Sequence, residues 1–453
     1  MGGVYYSTKH GNTVTGVVSP LLPNPPPPGA CSQCHYEHAS IGGVSTGGPF
    51  SYLLFADDTN ALCYLCHSAA SAITVYLGST VYNPSSHALS AAMIWPGPNP
   101  PARSGSDAGK CVNCHNPHGY KDASGLIPNM AISREENLCL ACHNGVVARK
   151  NISSKLQDTY KHPVATAGKH LASEGNDPAK FASPSNRHSE CEDCHNAHSA
   201  KADSTPPAPP TASTRLLGVG RIQVTNGSAG TVPLYNYVPG GSGTPMEYEI
   251  CFKCHSSWTT QPAGQSNLAS LFNSNNPSFH PVEAQGKNRN INPNAFVNKP
   301  DWSILAWTWD KLMYCADCHT SDDGTVRGPH GSMNRYLLKK PYTANPAQRT
   351  MSSTELCFDC HRYDTYANNN ATNTIKGYSR FNPPAFSQGH TYHVGSRRYP
   401  CYACHQSHGS AARPGLIVTG RSPGLNSYTQ TTTGGSCSPT CHGTQTYTIN
   451  YSR

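Results

Sequence analysis

The chain has no cysteine outside ten short motifs, few charged side chains and no long apolar run. Because every cysteine lies in a motif, none is left for lipid attachment. No stretch approaches the roughly 18 apolar residues of a membrane-spanning helix, so we expect no membrane span. Charged residues are only 13% of the 453 residues and form no basic run. The sequence therefore gives no indication of nucleic-acid binding.

Apolar residues are also scarce. They make up about 40% of the chain when glycine is counted and tyrosine is not, below the about 45–50% of ordinary globular domains. A conventional hydrophobic core would be marginal. We expect a mostly irregular chain with short α-helices and few β-hairpins, wrapped around another apolar component.

What the chain does contain is a histidine after every pair of cysteines. Nine pairs read C-x-x-C-H, and the tenth, Cys437-Ser-Pro-Thr-Cys441-His442, is one residue longer. This spacing is the attachment signature of haem c, in which two thiols form thioethers to the porphyrin and the adjoining imidazole binds iron. We therefore predict ten covalent haem c groups, which would supply the missing core.

The predicted attachment residues are Cys31, Cys34, Cys63, Cys66, Cys111, Cys114, Cys139, Cys142, Cys191, Cys194, Cys251, Cys254, Cys315, Cys318, Cys357, Cys360, Cys401, Cys404, Cys437 and Cys441. The predicted proximal ligands are His35, His67, His115, His143, His195, His255, His319, His361, His405 and His442. Disulfides or zinc sites would also use paired cysteines, but neither requires a histidine after every second cysteine. A thioredoxin-like motif would occur once.

Thirteen further histidines are available for the sixth position of ten irons. The motifs form five couples, and the first motif of four couples is C-x-x-C-H-x-x-H; in the fourth couple the second histidine is delayed to His330. Other histidines lie upstream of each couple, which predicts bis-histidine ligation throughout. The predicted sixth ligands are His10, His38, His87, His118, His162, His188, His198, His280, His330, His393 and His408.

Two couples have more histidines than irons. The third has His162, His170, His188 and His198, of which two should be dispensable unless they serve a neighbouring couple. We favour His162 as a ligand because its His-Pro-Val sequence recurs at His280. In the fifth couple we favour His393 over His390.

The couples predict five dihaem modules at residues 1–72, 73–148, 149–258, 259–365 and 366–453. Before the second motifs, sequences such as Ser133-Arg-Glu-Glu136 and Thr244-Pro-Met-Glu247 predict short helices. The first motifs lack such signals and should form loops or single turns. Two strands around an Asn226-Gly turn predict a β-hairpin that decorates the third module, within an insertion at about residues 205–245.

Covalent haem is attached outside the cytoplasm, so we expect an exported protein whose leader has been removed. The formal charge of +8 omits twenty haem propionates, which would make the reduced form negative. Lysine and arginine are therefore interpreted as propionate partners. The seven methionines have no regular placement relative to the motifs, which favours uniformly low potentials.

Motifs such as Cys191-Glu-Asp-Cys-His-Asn-Ala-His198 and Glu355-Leu-Cys-Phe-Asp-Cys-His361 resemble those of the doubled C-x-x-C-H multihaem cytochromes of bacterial extracellular electron transfer. The resemblance implies low-potential bis-histidine haems stacked in a chain and, in some relatives, end-to-end polymerisation into conductive filaments. The longer tenth motif and the predicted hairpin are departures from that pattern.

We therefore expect an electron-transfer protein at the cell surface or outside the cell, assembled head to tail with other copies and exchanging electrons with redox proteins or extracellular acceptors. His10, beyond a proline-rich spacer, could ligate a haem of its own chain or of an adjacent copy. The alternatives are a periplasmic shuttle that does not polymerise and a multihaem oxidoreductase. An oxidoreductase would keep one iron open or replace a proximal histidine, and none of the motifs shows such a replacement.

Overall fold

The computed structural model describes residues 2–449 except 21, 23, 37–49, 57–59, 69–77, 165–188, 262–263, 290, 298–306 and 383–388. Most of this chain is irregular, which confirms the predicted fold class. Its α-helices are Gly2–Tyr5 (α1), Ala61–Tyr64 (α2), Ser79–Tyr82 (α3), Ser86–Leu89 (α4), Glu135–Cys142 (α5), Ile152–Lys155 (α6), Glu247–His255 (α7), Leu268–Phe272 (α8), Tyr363–Tyr366 (α9) and Asn373–Lys376 (α10). No helix in the described part is long and apolar enough to cross a membrane.

The strands are short and pair antiparallel in small sheets. They are Lys121–Asp122 (β1), Gly125–Leu126 (β2), Tyr160–Lys161 (β3), Arg221–Thr225 (β4), Leu234–Val238 (β5), Ser278–Phe279 (β6), Gly331–Ser332 (β7), Gly409–Ser410 (β8), Leu425–Gln430 (β9), Gly434–Pro439 (β10) and Gln445–Thr448 (β11). β1 pairs with β2, β4 with β5, and β10 with both β9 and β11. Two further pairs, β3 with β7 and β6 with β8, join segments far apart in sequence.

Strands β7 and β8 each begin with a glycine that follows a histidine and that packs closely against the backbone of a helix, α6 or α8. A Cβ on Gly331 would overlap the carbonyl oxygen of Lys155, and a Cβ on Gly409 would overlap that of Leu271. Only glycine allows the two backbones to approach this closely. The His-Gly sequences at His330 and His408 are thereby explained by packing.

The predicted hairpin is present, but the predicted Asn226-Gly turn does not join its strands directly, because β5 begins only at Leu234. The connection is therefore a longer loop of residues 226–233 and not a two-residue turn. The loop is held by contacts with the chain around residues 274–283: Asn226 Nδ2 donates to Glu283 Oε2 at 2.7 Å, and the Gly230 N–H donates to Asn276 Oδ1 at 2.9 Å.

The hairpin is part of the largest apolar cluster rather than a surface decoration. Ile222 of β4 and Phe252 of α7 are almost completely buried. The cluster continues through residues on both sides of the third module's predicted boundary, namely Trp258, Ala269, Phe272, Val282 and Met313. Full burial of one such side chain contributes about 1.5–3 kcal/mol. The hairpin therefore fastens the third couple to the fourth.

The helix starts are confirmed in part. α5 begins within Ser133-Arg-Glu-Glu136, as predicted. α7 begins at Glu247, later than the predicted first-turn proline, and the Glu249 carboxylate accepts a hydrogen bond from the Met246 N–H at 3.0 Å. The motif that starts at Cys357 forms a 3₁₀ turn, Leu356–Asp359, in place of the expected α-helix.

Candidate haem centres

The five first motifs share one local structure, a single 3₁₀ turn. The turns are Cys31–Gln33, Cys111–Asn113, Cys191–Asp193, Cys315–Asp317 and Cys401–Ala403. Each begins after an extended residue, and the N–H of the motif histidine donates to the carbonyl of the first cysteine, as His35 does to Cys31 at 3.0 Å. The expectation of single-turn geometry is confirmed.

The second motifs are carried by more varied elements. Three lie on α2, α5 and α7, and the fourth lies on the 3₁₀ turn Leu356–Asp359. In the fifth couple, Cys437 lies on β10 and pairs with Tyr428 and Gln445. The expected short helix is absent from this site, because the extended motif continues a strand of the β9–β10–β11 sheet.

Each of the ten proximal histidines lies beside a histidine from outside the motifs. The ring centroids are 5.9–6.5 Å apart, and no histidine appears in two pairs. The first-motif pairs are His35–His118, His115–His198, His195–His330, His319–His408 and His405–His390. The second-motif pairs are His67–His10, His143–His87, His255–His162, His361–His280 and His442–His393.

The separation of the rings fits a metal ion between them. Two imidazoles that bind one metal ion from opposite sides, each at about 2 Å, have ring centroids about 6.3 Å apart. The observed range includes this value. The residues present thus fit six-coordinate iron with one histidine on each face of a porphyrin.

Hydrogen bonds orient many of these rings. His35 Nδ1 lies 2.8 Å from the Tyr52 carbonyl oxygen, and His162 Nδ1 lies 2.7 Å from that of Pro329. A carbonyl oxygen can only accept a hydrogen bond, so Nδ1 carries the proton and donates, and Nε2 has its lone pair free for a metal. The ring contacts therefore select the tautomer that iron requires.

Burial favours the neutral form of several paired histidines. Desolvation lowers the pKa of His143 and of His198 to about 4, with neighbouring histidines adding to the shift. The pKa of His330 is also lowered to about 4, again mainly by burial. Only neutral imidazole can bind a metal ion, so these environments favour the ligating form.

A continuous cavity of about 4440 Å³ connects the motifs. It is lined by motif cysteines and histidines from the first motif to the last. Divided among ten motifs, the cavity provides roughly 440 Å³ each, within the range of about 300–1,000 Å³ for a small-molecule site. Its size and lining fit a series of cofactors along the whole chain.

Arg380 supports the same fit through charge. Both terminal nitrogens of its guanidinium are buried and have no hydrogen-bond partner among the described residues. A buried guanidinium without an anion is costly. Arg380 lines the cavity, where a haem propionate would supply the bidentate acceptor that it needs.

Consecutive motifs are neighbours in space. The first cysteine of a second motif is in hydrogen-bonding contact with the first cysteine of the next couple, at Cys63–Cys111, Cys139–Cys191, Cys251–Cys315 and Cys357–Cys401. Within a couple, a cysteine of the first motif lies close enough to a cysteine of the second motif for their charges to interact, as Cys34 does to Cys66. The attachment points therefore follow one another in chain order.

The doubled CXXCH motif family matches residues 104–148 and 310–365, which contain the second and fourth couples. Searches of curated proteins and of solved structures found no match. Doubled motifs of this kind indicate covalently bound haem c. The match supports a multihaem c-type cytochrome. In this chain, four of the ten histidine pairs join a first motif to a histidine of the following couple, as His35 is joined to His118.

The fifth couple has no following couple, and its pairs include the histidine that the sequence-based choice did not favour. His390 faces His405, and His393 faces His442. Both histidines lie at or within the π-helical segment Thr391–Ser396. The structure thus places a histidine opposite each proximal histidine of this couple and requires no choice between His390 and His393, because two haems need two ligands; the ligation itself stays a prediction. The sequence could have indicated His390, because no sixth couple exists to supply a histidine to the first motif of the fifth couple.

Three histidines, His38, His170 and His188, lie outside the described residues. His38 and His188 were predicted as ligands. Each iron has one sixth position, and all ten proximal histidines already face another histidine, so this arrangement leaves no iron for either of them. The preference for His162 agrees with its position beside His255.

Proposed function

We propose that the protein transfers electrons along ten bis-histidine haem c groups that follow one another in chain order. The observation that carries this proposal is the one-to-one matching of ten proximal histidines with ten others at a separation that suits a shared iron. The haem would supply the redox chemistry. The chain's own residues hold it by thioethers, orient both imidazoles and exclude water.

The order of the cysteines supports a continuous path. Electron transfer slows steeply with distance, so a path needs each cofactor close to the next. Cysteines of successive motifs, such as Cys63 and Cys111 between couples and Cys34 and Cys66 within a couple, lie close enough to interact, which supports a continuous series. An electron that enters at either end can therefore pass through every haem in turn.

Occupied axial positions favour electron transfer over catalysis at iron. A multihaem oxidoreductase needs an open coordination site for its substrate. Here a second imidazole stands opposite every proximal histidine, including those of the first and last motifs, His35 and His442. This arrangement favours an electron-transfer protein over the oxidoreductase alternative.

We propose an extracellular polymeric wire, in which the terminal haems of neighbouring copies meet head to tail. Cys31 of the first motif is exposed, and so are Cys441 and His442 of the last. A haem attached at such a position leaves an apolar edge near the surface, which favours an interface. Contact between two different ends is heterologous and extends into a filament if the rotation does not close.

A periplasmic shuttle is the second candidate, and one observation favours it. His10 faces His67 of its own chain, with ring centroids 5.9 Å apart. The ten pairs are completed within one copy, so no ligand from an adjacent copy is required. A single protomer could therefore be a finished electron carrier.

Two measurements test these proposals. The oxidised protein should show only low-spin haem at neutral pH, and the reduced protein should not bind carbon monoxide; a high-spin signal would contradict bis-histidine ligation throughout. Electron micrographs of the concentrated protein should show filaments. Monomers at every concentration would exclude the wire and leave the shuttle.

The substitution His10→Ala separates ligation from assembly. If His10 ligates the second haem of its own chain, one iron becomes high-spin in the monomer as well as in filaments. His170→Ala is the matched control and should leave all irons low-spin. A high-spin iron that appears only when filaments dissociate would instead indicate ligation between copies.

A further inference from the structure

The angles between paired imidazole planes fall into two groups that alternate along the chain. In the first motifs of couples one to four, the two planes lie within 8–14° of each other. In the second motifs of the same couples, they are inclined by 39–84°. The fifth couple is intermediate, with angles of 25° and 34°.

The hydrogen bonds alternate in the same way. In all five first motifs the proximal ring is anchored, with Nδ1 2.8–3.1 Å from a backbone carbonyl oxygen. In second motifs of couples one to four the anchored ring is the distal one, as in His87 with the Ala197 carbonyl at 2.9 Å. The opposite ring can lack such a hydrogen bond: Nδ1 of His67 has no partner among the described residues.

The carbonyl that accepts the hydrogen bond from a first-motif histidine often belongs to a residue with a strained backbone conformation. The carbonyls that face His35, His115 and His319 belong to Tyr52, Asn129 and Tyr336. These three residues are left-handed, with φ of 62°, 53° and 65°, and each is followed by a second left-handed residue. Non-glycine residues adopt this conformation only where the surrounding structure enforces it.

In second motifs, the carbonyl that accepts a hydrogen bond from the distal histidine belongs to a residue with a special position in the sequence. The next residue is the histidine that faces a first motif. The carbonyls of Pro117, Ala197, Pro329 and Ser407 face His10, His87, His162 and His280. The residues that follow them are His118, His198, His330 and His408. The first residue of each dipeptide thus orients the distal ring at a second motif through its carbonyl. The second residue supplies the distal ring at the neighbouring first motif. The two distal rings are therefore fixed relative to each other.

We propose that the first eight haems are of two electronic types in strict alternation, with parallel axial imidazoles at first motifs and twisted ones at second motifs. This inference rests on the bis-histidine ligation proposed above. An imidazole donates π-electron density to the iron d orbital perpendicular to its ring. Two parallel rings act on the same d orbital and split the dxz and dyz levels, whereas perpendicular rings act on one each and leave the levels nearly degenerate.

Electron paramagnetic resonance distinguishes the two types. Parallel ligands give a rhombic low-spin signal, and strongly twisted ligands give a highly anisotropic one with a larger maximum g value. The oxidised protein should show both, and the His143 haem, whose planes are inclined by 84°, should give the most anisotropic component. A single rhombic class with all haems low-spin would overturn the inference while leaving bis-histidine ligation intact. High-spin iron would instead contradict the proposed function.

Asn129 offers a test of the positioning residues. Its side chain lines the cavity and makes no hydrogen bond with a described residue, so we expect a substitution to act mainly through the backbone. Asn129→Val places a β-branched residue at φ 53° and should displace the carbonyl from His115, while Asn129→Gly tolerates the same φ. We expect the valine variant to lose about one quarter of the parallel-type signal, one haem of four, and the glycine variant to keep it. An unchanged spectrum in both variants would remove Asn129 from this role. If the valine variant fails to fold, the two signal classes of the unmodified protein still decide the proposal.

Discussion

The ring centroids of His118 and His35 lie 5.9 Å apart. The proximal histidine of the first motif is therefore paired with a histidine of the second couple. The same relation joins His115 to His198 and His319 to His408. Neighbouring couples therefore depend on each other for ligands. Removing one couple should affect a haem that is attached outside it.

The number of haems is the first prediction. Intact-mass measurement should show ten covalent haems, because the longer tenth motif still places His442 opposite His393. Cys437→Ser with Cys441→Ser should give nine. Nine haems in the unmodified protein would show that the motif on β10 cannot span both vinyl groups.

The fifth couple gives the second prediction. His390→Ala and His393→Ala should each convert one haem to a high-spin, carbon monoxide-binding form, because each histidine faces a different proximal ligand. His188→Ala serves as the control and should leave the spectrum unchanged. If His390→Ala also leaves every haem low-spin, another histidine must ligate the His405 haem.

The third prediction concerns pH. Burial raises the pKa of Glu283 to about 7, although the hydrogen bond from Asn226 opposes the shift. A raised pKa means that the folded state favours the protonated carboxyl, so this contribution to stability is present below about pH 4.5 and is lost as the pH rises towards 7. Glu283→Gln should therefore stabilise the protein at pH 8, by on the order of 2–3 kcal/mol.

Denaturation midpoints at pH 5 and pH 8 would measure this effect. The difference between the two midpoints should shrink in Glu283→Gln. Glu192→Gln changes an exposed carboxyl and should leave the difference as it is. An equal pH dependence in the unmodified protein and in Glu283→Gln would show that Glu283 is ionised in the folded state.

The fourth prediction concerns the attachment of the hairpin to α7. Arg221 Nε lies 2.9 Å from Glu249 Oε2, and both side chains are buried. Arg221→Met leaves a buried carboxylate without its cation and should lower the free energy of unfolding by about 3–5 kcal/mol. Combining Arg221→Met with Glu249→Leu should recover part of the loss.

Arg134→Met provides the comparison for a more exposed ion pair, with Asp122. Its effect on the denaturation midpoint should be much smaller, because water screens the interaction. Similar losses in Arg134→Met and Arg221→Met would indicate that burial does not set the strength of the inner pair.

The sequence by itself determined the chemistry of the chain. Ten histidines directly follow paired cysteines, and this specifies thioether attachment and a proximal imidazole. These residues are adjacent in the chain, so the sequence shows them directly. The low apolar content and the abundance of glycine and proline determined the mostly irregular fold. These properties are local or compositional, so they do not depend on which distant segments meet.

Only the tertiary structure decided which histidine stands opposite which iron. His118 and His10 lie in different parts of the chain, yet they face the two motifs of the same couple. The number of histidines shows that enough ligands exist, but it does not show which histidine rings come within 6.5 Å of each other, because that depends on long-range pairings such as β3 with β7. The relative angle of each imidazole pair likewise depends on carbonyls from distant residues. A sequence specifies the donors, and the packed backbone specifies their directions.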